Sequence, residues 1–195
     1  MIVPHILGIS GKTGAGKSTL AKILASQFKG TLISWDEFDE ISEEPENYIF
    51  WFHNGQDYSE FQRKSLAEVL TQLKNGQAIL HPASKEKLVP TNLIIFDAPL
   101  GRLHQETGRY IDIMVHIEVP LDILLCRRIL RDLKETATKN DIIKEVEFYL
   151  NHSRPLYIDD DLKESADLII DGTVSITEEC QLIMSYLDKK GIKAR

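Results

Sequence analysis

The residues Gly11-Lys12-Thr13-Gly14-Ala15-Gly16-Lys17-Ser18 carry the densest chemistry in the sequence. They fit the pattern G-x-x-x-x-G-K-[ST] at every fixed position. Glycines at these spacings let main-chain N–H groups turn inward around an anion, a conformation that a Cβ obstructs. The lysine behind them supplies a point charge for β- and γ-phosphates, and the next hydroxyl supplies a hard oxygen ligand for Mg²⁺. Gly11, Thr13, Gly14, Ala15, Gly16, Lys17, Ser18 and Thr19 therefore form a cradle for a nucleoside triphosphate. ATP and Mg²⁺ are the implied cofactors.

Three further groups could act on a phosphate held there. Asp36 follows the short apolar run Gly30–Ser34, and a parallel sheet presents such residues at the carboxyl ends of its strands. Across the cleft from the loop, a carboxylate can orient an acceptor hydroxyl and take its proton. The bland alternative is an N-cap for the next helix. Asp97 ends the run Leu93-Ile94-Ile95-Phe96 and is a candidate for the Mg²⁺ shell, with Ser18 and Asp36. Arg127, Arg128 and Arg131 share one side of a helix after Pro120, either as a solvated basic face or as donors to the oxygens of a transferred phosphoryl group.

These groups need scaffolding, and the apolar periodicities describe it. A strand over residues 2–9 precedes the loop, and Leu20, Leu24 and Phe28 recur at helical spacing after it. Residues 40–58 read as irregular, with an aromatic patch Tyr48–His53 that stacks a planar substrate or serves as a hydrophobic lid. Ser59-Glu60-Phe61-Gln62 has capping-box form and is expected to open a helix whose buried stripe is Leu66, Val69, Leu70 and Leu73, ended by Asn75-Gly76. Residues 78–80 make a brief strand, and 81–87 a surface loop. After the strand 112–119, Leu125, Ile129 and Leu133 form the apolar face of the arginine helix. The last helix packs on the sheet through Ile176, Cys180, Ile183, Met184 and Leu187. Thr138-Lys139-Asn140-Asp141 mimics the guanine-recognition form [NT]-K-x-D, but it sits in polar sequence rather than after a buried strand, and Asp97-Ala98-Pro99-Leu100 lacks a switch glycine.

Thirty acidic against twenty-three basic residues give a net charge of −7, which argues against a general nucleic-acid or anionic-membrane binder. Anion binding must then be local. The two cysteines make no disulfide framework, and no apolar run approaches membrane-spanning length, so a cytoplasmic protein is expected. The length suits a single domain over residues 1–195.

Taken in order, the motifs resemble those of uridine kinase and its relatives, including phosphoribulokinase and pantothenate kinase. Ile33-Ser34-Trp35-Asp36-Glu37-Phe38 is similar to that family's S-x-D-x-F segment, and Arg127-Arg128-Ile129-Leu130-Arg131-Asp132 to its R-R-x-x-R-D lid helix. Tyr149, Ser153-Arg154-Pro155 and Ser165–Ile170 resemble its closing segment. The resemblance implies a three-layer α/β P-loop NTPase of the nucleoside/nucleotide kinase type. It would have a five-stranded parallel core sheet, helices on both faces and a small helical lid at about 127–145. It also implies an ATP-dependent kinase acting on a small-molecule hydroxyl, with Asp36 as base, Lys17 on the phosphates, and Arg128 and Arg131 as the clamp. Tyr48, Asp57, His81, Arg102 and Arg109 are candidate acceptor contacts, and Arg102, His104 and Arg109 could meet an anionic acceptor or be ordinary loop charges. The chain departs from the family at Asp39, Thr136, His81-Pro82-Ala83-Ser84 and Asp97-Ala98, which touches the acceptor more than ATP. A nucleotide-sensing module or ATPase without an acceptor is the competing reading.

Overall fold

The computed structural model describes residues 4–135 and 137–193, so Ile2, Val3 and Thr136 lie outside the described residues. In chain order, β1 (His5–Ser10) leads through the glycine loop into α1 (Lys17–Phe28), followed by β2 (Thr31–Ser34). Next come α2 (Tyr48–His53), α3 (Lys64–Lys74) and the hairpin β3 (Ile79–Leu80) and β4 (Lys87–Leu88). β5 (Leu93–Asp97), α4 (Gln105–Gly108), β6 (Ile113–Glu118), α5 (Leu121–Glu135) and α6 (Lys139–Phe148) continue the chain. It closes with α7 (Asp160–Glu164), β7 (Leu168–Asp171) and α8 (Ile176–Lys189).

The main sheet runs β2-β5-β1-β6-β7, and all its pairings are parallel. All five core strands fall where the apolar runs place them. Parallel strands joined by crossovers carry helices on both faces, which is why these runs are apolar throughout rather than alternating. The two faces still sort by residue parity. Leu7, Ile9, Ile95 and Val115 pack with Leu20 and Leu24 of α1 and Ile183 and Leu187 of α8. Ile6, Ile94, Phe96 and Met114 pack with Leu66, Leu70 and Leu73 of α3 and with Trp35, Phe38, Trp51 and Phe61. Among the described residues no helix is long and apolar enough to cross a membrane. Cys126 and Cys180 are both free.

Local expectations failed in four places. The patch Tyr48–His53 is helical, with the Asn47 side chain accepting the Phe50 N–H. The helix expected from Ser59 begins only at Lys64. Phe61 is drawn into the aromatic core, Gln62 bridges to Glu43, and the Arg63 N–H donates to Glu106 Oε2 at 2.6 Å. These long-range contacts outweigh the local capping box. In α5 only Leu124 is fully buried and Leu133 is half exposed, because the helix touches the core by its first turns and then projects from the sheet. His81 is buried rather than on a surface loop: its Nδ1 accepts the Ala83 and Ser84 N–H groups at 3.2 Å, closing the β3–β4 turn. Thr138-Lys139-Asn140-Asp141 is a capping box that opens α6, which disposes of the guanine-recognition likeness.

The crossover from α1 to β2 passes over the sheet without clearance at Gly30. A Cβ there would lie 2.7 Å from the Leu93 carbonyl oxygen and 2.5 Å from Ile95 Cδ1. Since backbone cannot yield as a side-chain tip does, Gly30→Ala is expected to lower the unfolding free energy by about 1–3 kcal/mol. Urea unfolding measures the loss, and an unchanged midpoint would show that the crossover has slack.

Candidate active site

The glycine loop spans the gap between the end of β1 and the start of α1. Gly14 and Gly16 take φ of 92° and 101°, and Gly16 is the N-cap of α1, so the first amides of that helix stay free and face the cleft. The parallel register sets Ile9 against Asp97, which brings the tip of β5 beside the loop. Ser18 Oγ donates to Asp97 Oδ2 at 2.6 Å. Lys17 Nζ, deeply enclosed, donates to the Lys12 carbonyl at 3.4 Å.

Burial dominates the electrostatics here. It pushes the Lys17 pKa down, against the charges of Asp97 and Asp36, which favour the ammonium, and with that of Arg131, which does not. It pushes Asp97 up, outweighing the help of Lys17 and the Ser18 hydrogen bond, and the Asp36 charge adds to the rise. Both groups are thus drawn toward neutrality. Asp97 Oδ1 is buried and has no hydrogen-bond partner. An open carboxylate oxygen beside a serine hydroxyl, at the foot of a phosphate cradle, is the hard-oxygen donor set that suits Mg²⁺. Among the described residues no group of three or more His, Cys, Asp or Glu could hold a metal alone, as suits an ion that takes its remaining ligands from phosphate and water.

A cleft of about 1000 Å³ opens in front of the loop. Gly11, Thr13, Lys17, Asp36, Tyr48 and Arg128 all line it. Asp36 is exposed on the 3₁₀ turn after β2, on the cleft side. Arg128 reaches in from α5, its guanidinium bonded to Tyr157 Oη and Glu145 and stacked 5.0 Å from the Tyr157 ring centre. Arg131 is more exposed and pairs with Asp132 at 3.0 Å. Trp35, Tyr48, Trp51 and Phe61 form an aromatic wall. The Tyr48 hydroxyl is pushed up to about 12 by burial and by its hydrogen bond to Glu44.

Four candidate acceptor residues fall outside the cleft. Asp57 caps the turn at Tyr58–Glu60 through the Ser59 N–H at 2.9 Å. His81 is consumed in its hairpin. Arg102 turns to Asp167 at 2.7 Å and the Ser165 carbonyl at 2.9 Å, tying the loop after β5 to the start of β7. Arg109 lies over the Tyr110 ring at 5.0 Å. His104 is likewise buried, with Nε2 2.7 Å from the Phe61 carbonyl oxygen. Each of these side chains is engaged within the fold rather than lining the cleft.

Sequence reasoning passed over Arg63, Lys12, His116 and Asp159. Arg63 is fully buried, stacked 4.5 Å over Trp35, and contacts Asp39 at 2.8 Å and Glu44 at 2.9 Å, so it fixes two carboxylates of the cleft. Nothing in its polar surroundings signals this. A lone histidine inside the apolar run of β6 was the one visible sign of the buried link from His116 to Asp159, 3.2 Å away.

A family model described as an AAA domain matches residues 7–150. The uridine kinase of Clostridium tetani (strain Massachusetts / E88) is 30% identical over 182 residues, covering 86% of this chain and 86% of the relative. The chain belongs to the uridine kinase-like P-loop kinases. The uridine kinase of Clostridium novyi (strain NT) is 29% identical over 185 residues, covering 87% of this chain and 88% of the relative. Shikimate kinase from Acinetobacter baumannii, solved with shikimate, shares the fold at a TM-score of 0.51 and 15% identity, covering 98% of this chain and 97% of that one. This kinase is thus a phosphotransferase built on the P-loop fold, as the motif order implies.

The strained carboxylate gives this kinase a measurable signature. A carboxyl whose folded pKa lies above its unfolded value contributes a stability penalty that is absent at low pH and grows as pH rises through the carboxylate range. Asp97→Asn removes that penalty and can still accept the Ser18 hydrogen bond. The variant is expected to melt a few degrees higher than wild type in the nucleotide-free state near neutral pH. The gap should close as the pH is lowered below the carboxylate range. Calorimetry across that range checks it, and a variant less stable at neutral pH would overturn the reading.

Proposed function

We propose that this protein transfers the γ-phosphoryl group of ATP to a hydroxyl of a small alcohol that bears a planar ring and no negative charge. The observation that carries this reading is that Asp36 and Lys17 share one cleft whose outer wall is aromatic. Main-chain amides of the loop and Lys17 hold the triphosphate. Ser18, Asp97 and Asp36 would hold Mg²⁺, which supplies charge neutralisation on the β- and γ-phosphates. The acceptor oxygen attacks the γ-phosphorus, the bond from that phosphorus to the bridging oxygen breaks, and ADP leaves with the electron pair. Asp36 takes the acceptor's proton. Arg128, already aimed into the cleft, and Arg131 face the charge that spreads over the transferred oxygens, and the hairpin of α5 and α6 excludes water as a lid.

The acceptor's charge class follows from the lining. Asp39, Glu44, Glu46, Asp160 and Asp161 also border the cleft, where carboxylates outnumber the cations, and Arg128 is already paired with Glu145. Like charges exclude an anionic acceptor, and the aromatic wall favours a flat ring, as in a nucleoside.

ADP release from MgATP, measured across nucleosides, pantothenate, glycerate and phosphosugars, tests the reading. Stimulation by an uncharged ring-bearing alcohol, and none by phosphosugars, is expected. Release that no acceptor stimulates would favour an ATPase or nucleotide sensor instead. Asp36→Asn should lower kcat by about 10²–10⁴-fold with the affinity for ATP measured without Mg²⁺ kept within about threefold, about 0.7 kcal/mol. Equal loss of affinity would show that Asp36 builds the site rather than acting in it. Lys17→Ala, by contrast, should weaken nucleotide binding and turnover together.

A further inference from the structure

The loop of this chain carries a second lysine. Lys12, five residues before Lys17, has its backbone fixed in the turn, its carbonyl accepting the Ala15 N–H at 2.9 Å as well as Lys17 Nζ. Its side chain is half-buried and borders two spaces at once. One is the cleft that holds Lys17 and Asp36. The other is a pocket of about 620 Å³ between the start of α5, at Leu121 and Leu124, and Thr173 beyond β7. Lys12 therefore stands, with Tyr157, Ile158, Asp159 and Asp160, where the two spaces meet.

Opposing influences meet at the Lys12 ammonium. Burial disfavours the ammonium most, the nearby charge of Lys17 adds to that, and the Asp159 carboxylate opposes both. Yet Asp159 is already committed elsewhere. Its Oδ2 lies 3.2 Å from Nε2 of the fully buried His116, whose Nδ1 is 3.0 Å from Ser10 Oγ, at the residue just before the loop. Burial works against ionisation of Asp159, but the bond and charge of His116, with Lys12 and Lys163, outweigh it and hold the carboxyl below its usual range. Lys12 thus sets a second ammonium in the same turn of backbone as Lys17, and Asp159, which borders the same two spaces, has a partner of its own in His116.

We propose that Lys12 is a second phosphate-binding cation of the loop: the free protein balances it with Asp159, and a bound nucleotide takes it over while His116 keeps Asp159 in place. The proposal rests on nucleotide binding by the loop and not on any acceptor, so it survives or fails independently of the acceptor panel. Asp159 then competes with phosphate for Lys12, and the two residues must act with opposite sign.

Titration calorimetry with MgADP on the full chain tests this. Lys12→Met is expected to lower affinity about tenfold or more, the scale of one charge-assisted contact, and Lys12→Arg to restore it to within about threefold of wild type. Asp159→Asn, which removes the competitor, is expected to bind MgADP more tightly than wild type. Wild-type affinity in Lys12→Met would overturn the proposal. So would Asp159→Asn binding no more tightly than wild type, since Asp159 would then not compete for Lys12. Unfolding midpoints of all three variants, matched to wild type, ensure that the affinities compare folded proteins.

Discussion

The feature on which the rest of the molecule depends is the crowding of a lysine and a carboxylate where the glycine loop meets the tip of a neighbouring parallel strand. Lys17 starts α1 and Asp97 ends β5, and the β1–β5 register sets the end of β5 beside the strand that leads into the loop. Burying two charges costs more than their attraction returns unless further hydrogen bonds complete them. Here they remain incomplete: Lys17 has one long bond to a carbonyl, and one oxygen of Asp97 has none. The sheet, with α1 and α8 on one face and α3 on the other, supplies the rigidity that keeps this unfavourable pair in place.

Charge of both signs lines the cleft. Lys12, Lys17 and Arg128 are its cations, and Asp39, Glu44 and Glu46 are among its carboxylates. Arg63 supports the carboxylates from beneath, because its buried guanidinium holds Asp39 and Glu44 at fixed positions without itself facing a ligand. Burial still pushes Asp39 up, with Arg63 opposing and Asp36 and Glu44 adding to the rise. A chain of net charge −7 can bind a polyanion because its few useful cations are gathered in one turn of backbone.

What was legible in the sequence was whatever local physics determines. The glycine loop, the first four apolar runs and the Asp97 terminus follow from spacing, the last strand from the likeness of the closing segment, and the structure puts each where it was expected. What could not be read was decided by contacts far apart in the chain. Glu106 takes the Arg63 N–H and delays α3 by five residues from Ser59. Asp167 captures Arg102, a cation that the loop after β5 otherwise presents to solvent. The His81 imidazole vanishes into a hairpin and stacks on Phe38, 4.6 Å away. Thr138 and Asp141 show the converse failure, in which one spacing serves two meanings: three residues apart suits both a base-reading motif and a reciprocal helix cap. Only the missing buried strand before them separates the two.

The arginine helix joins these themes. α5 is anchored at its base by Leu124, while its outer turns carry exposed Leu130 and Leu133 and rest mainly on α6. Arg128 bridges that outer contact, bonded at once to Glu145 of α6 and to Tyr157 in the segment leading to Asp159. The side chain that lines the cleft is therefore the same one that fixes the angle between the two helices. An isolated exposed ion pair contributes little, but this guanidinium is largely shielded and stacked on an aromatic ring, where its partners matter more. One residue thus serves both the lining of the cleft and the contact between the two helices. That economy explains why the outer half of α5 needs no apolar stripe: its position is set by charge at Arg128 rather than by packing at Leu133.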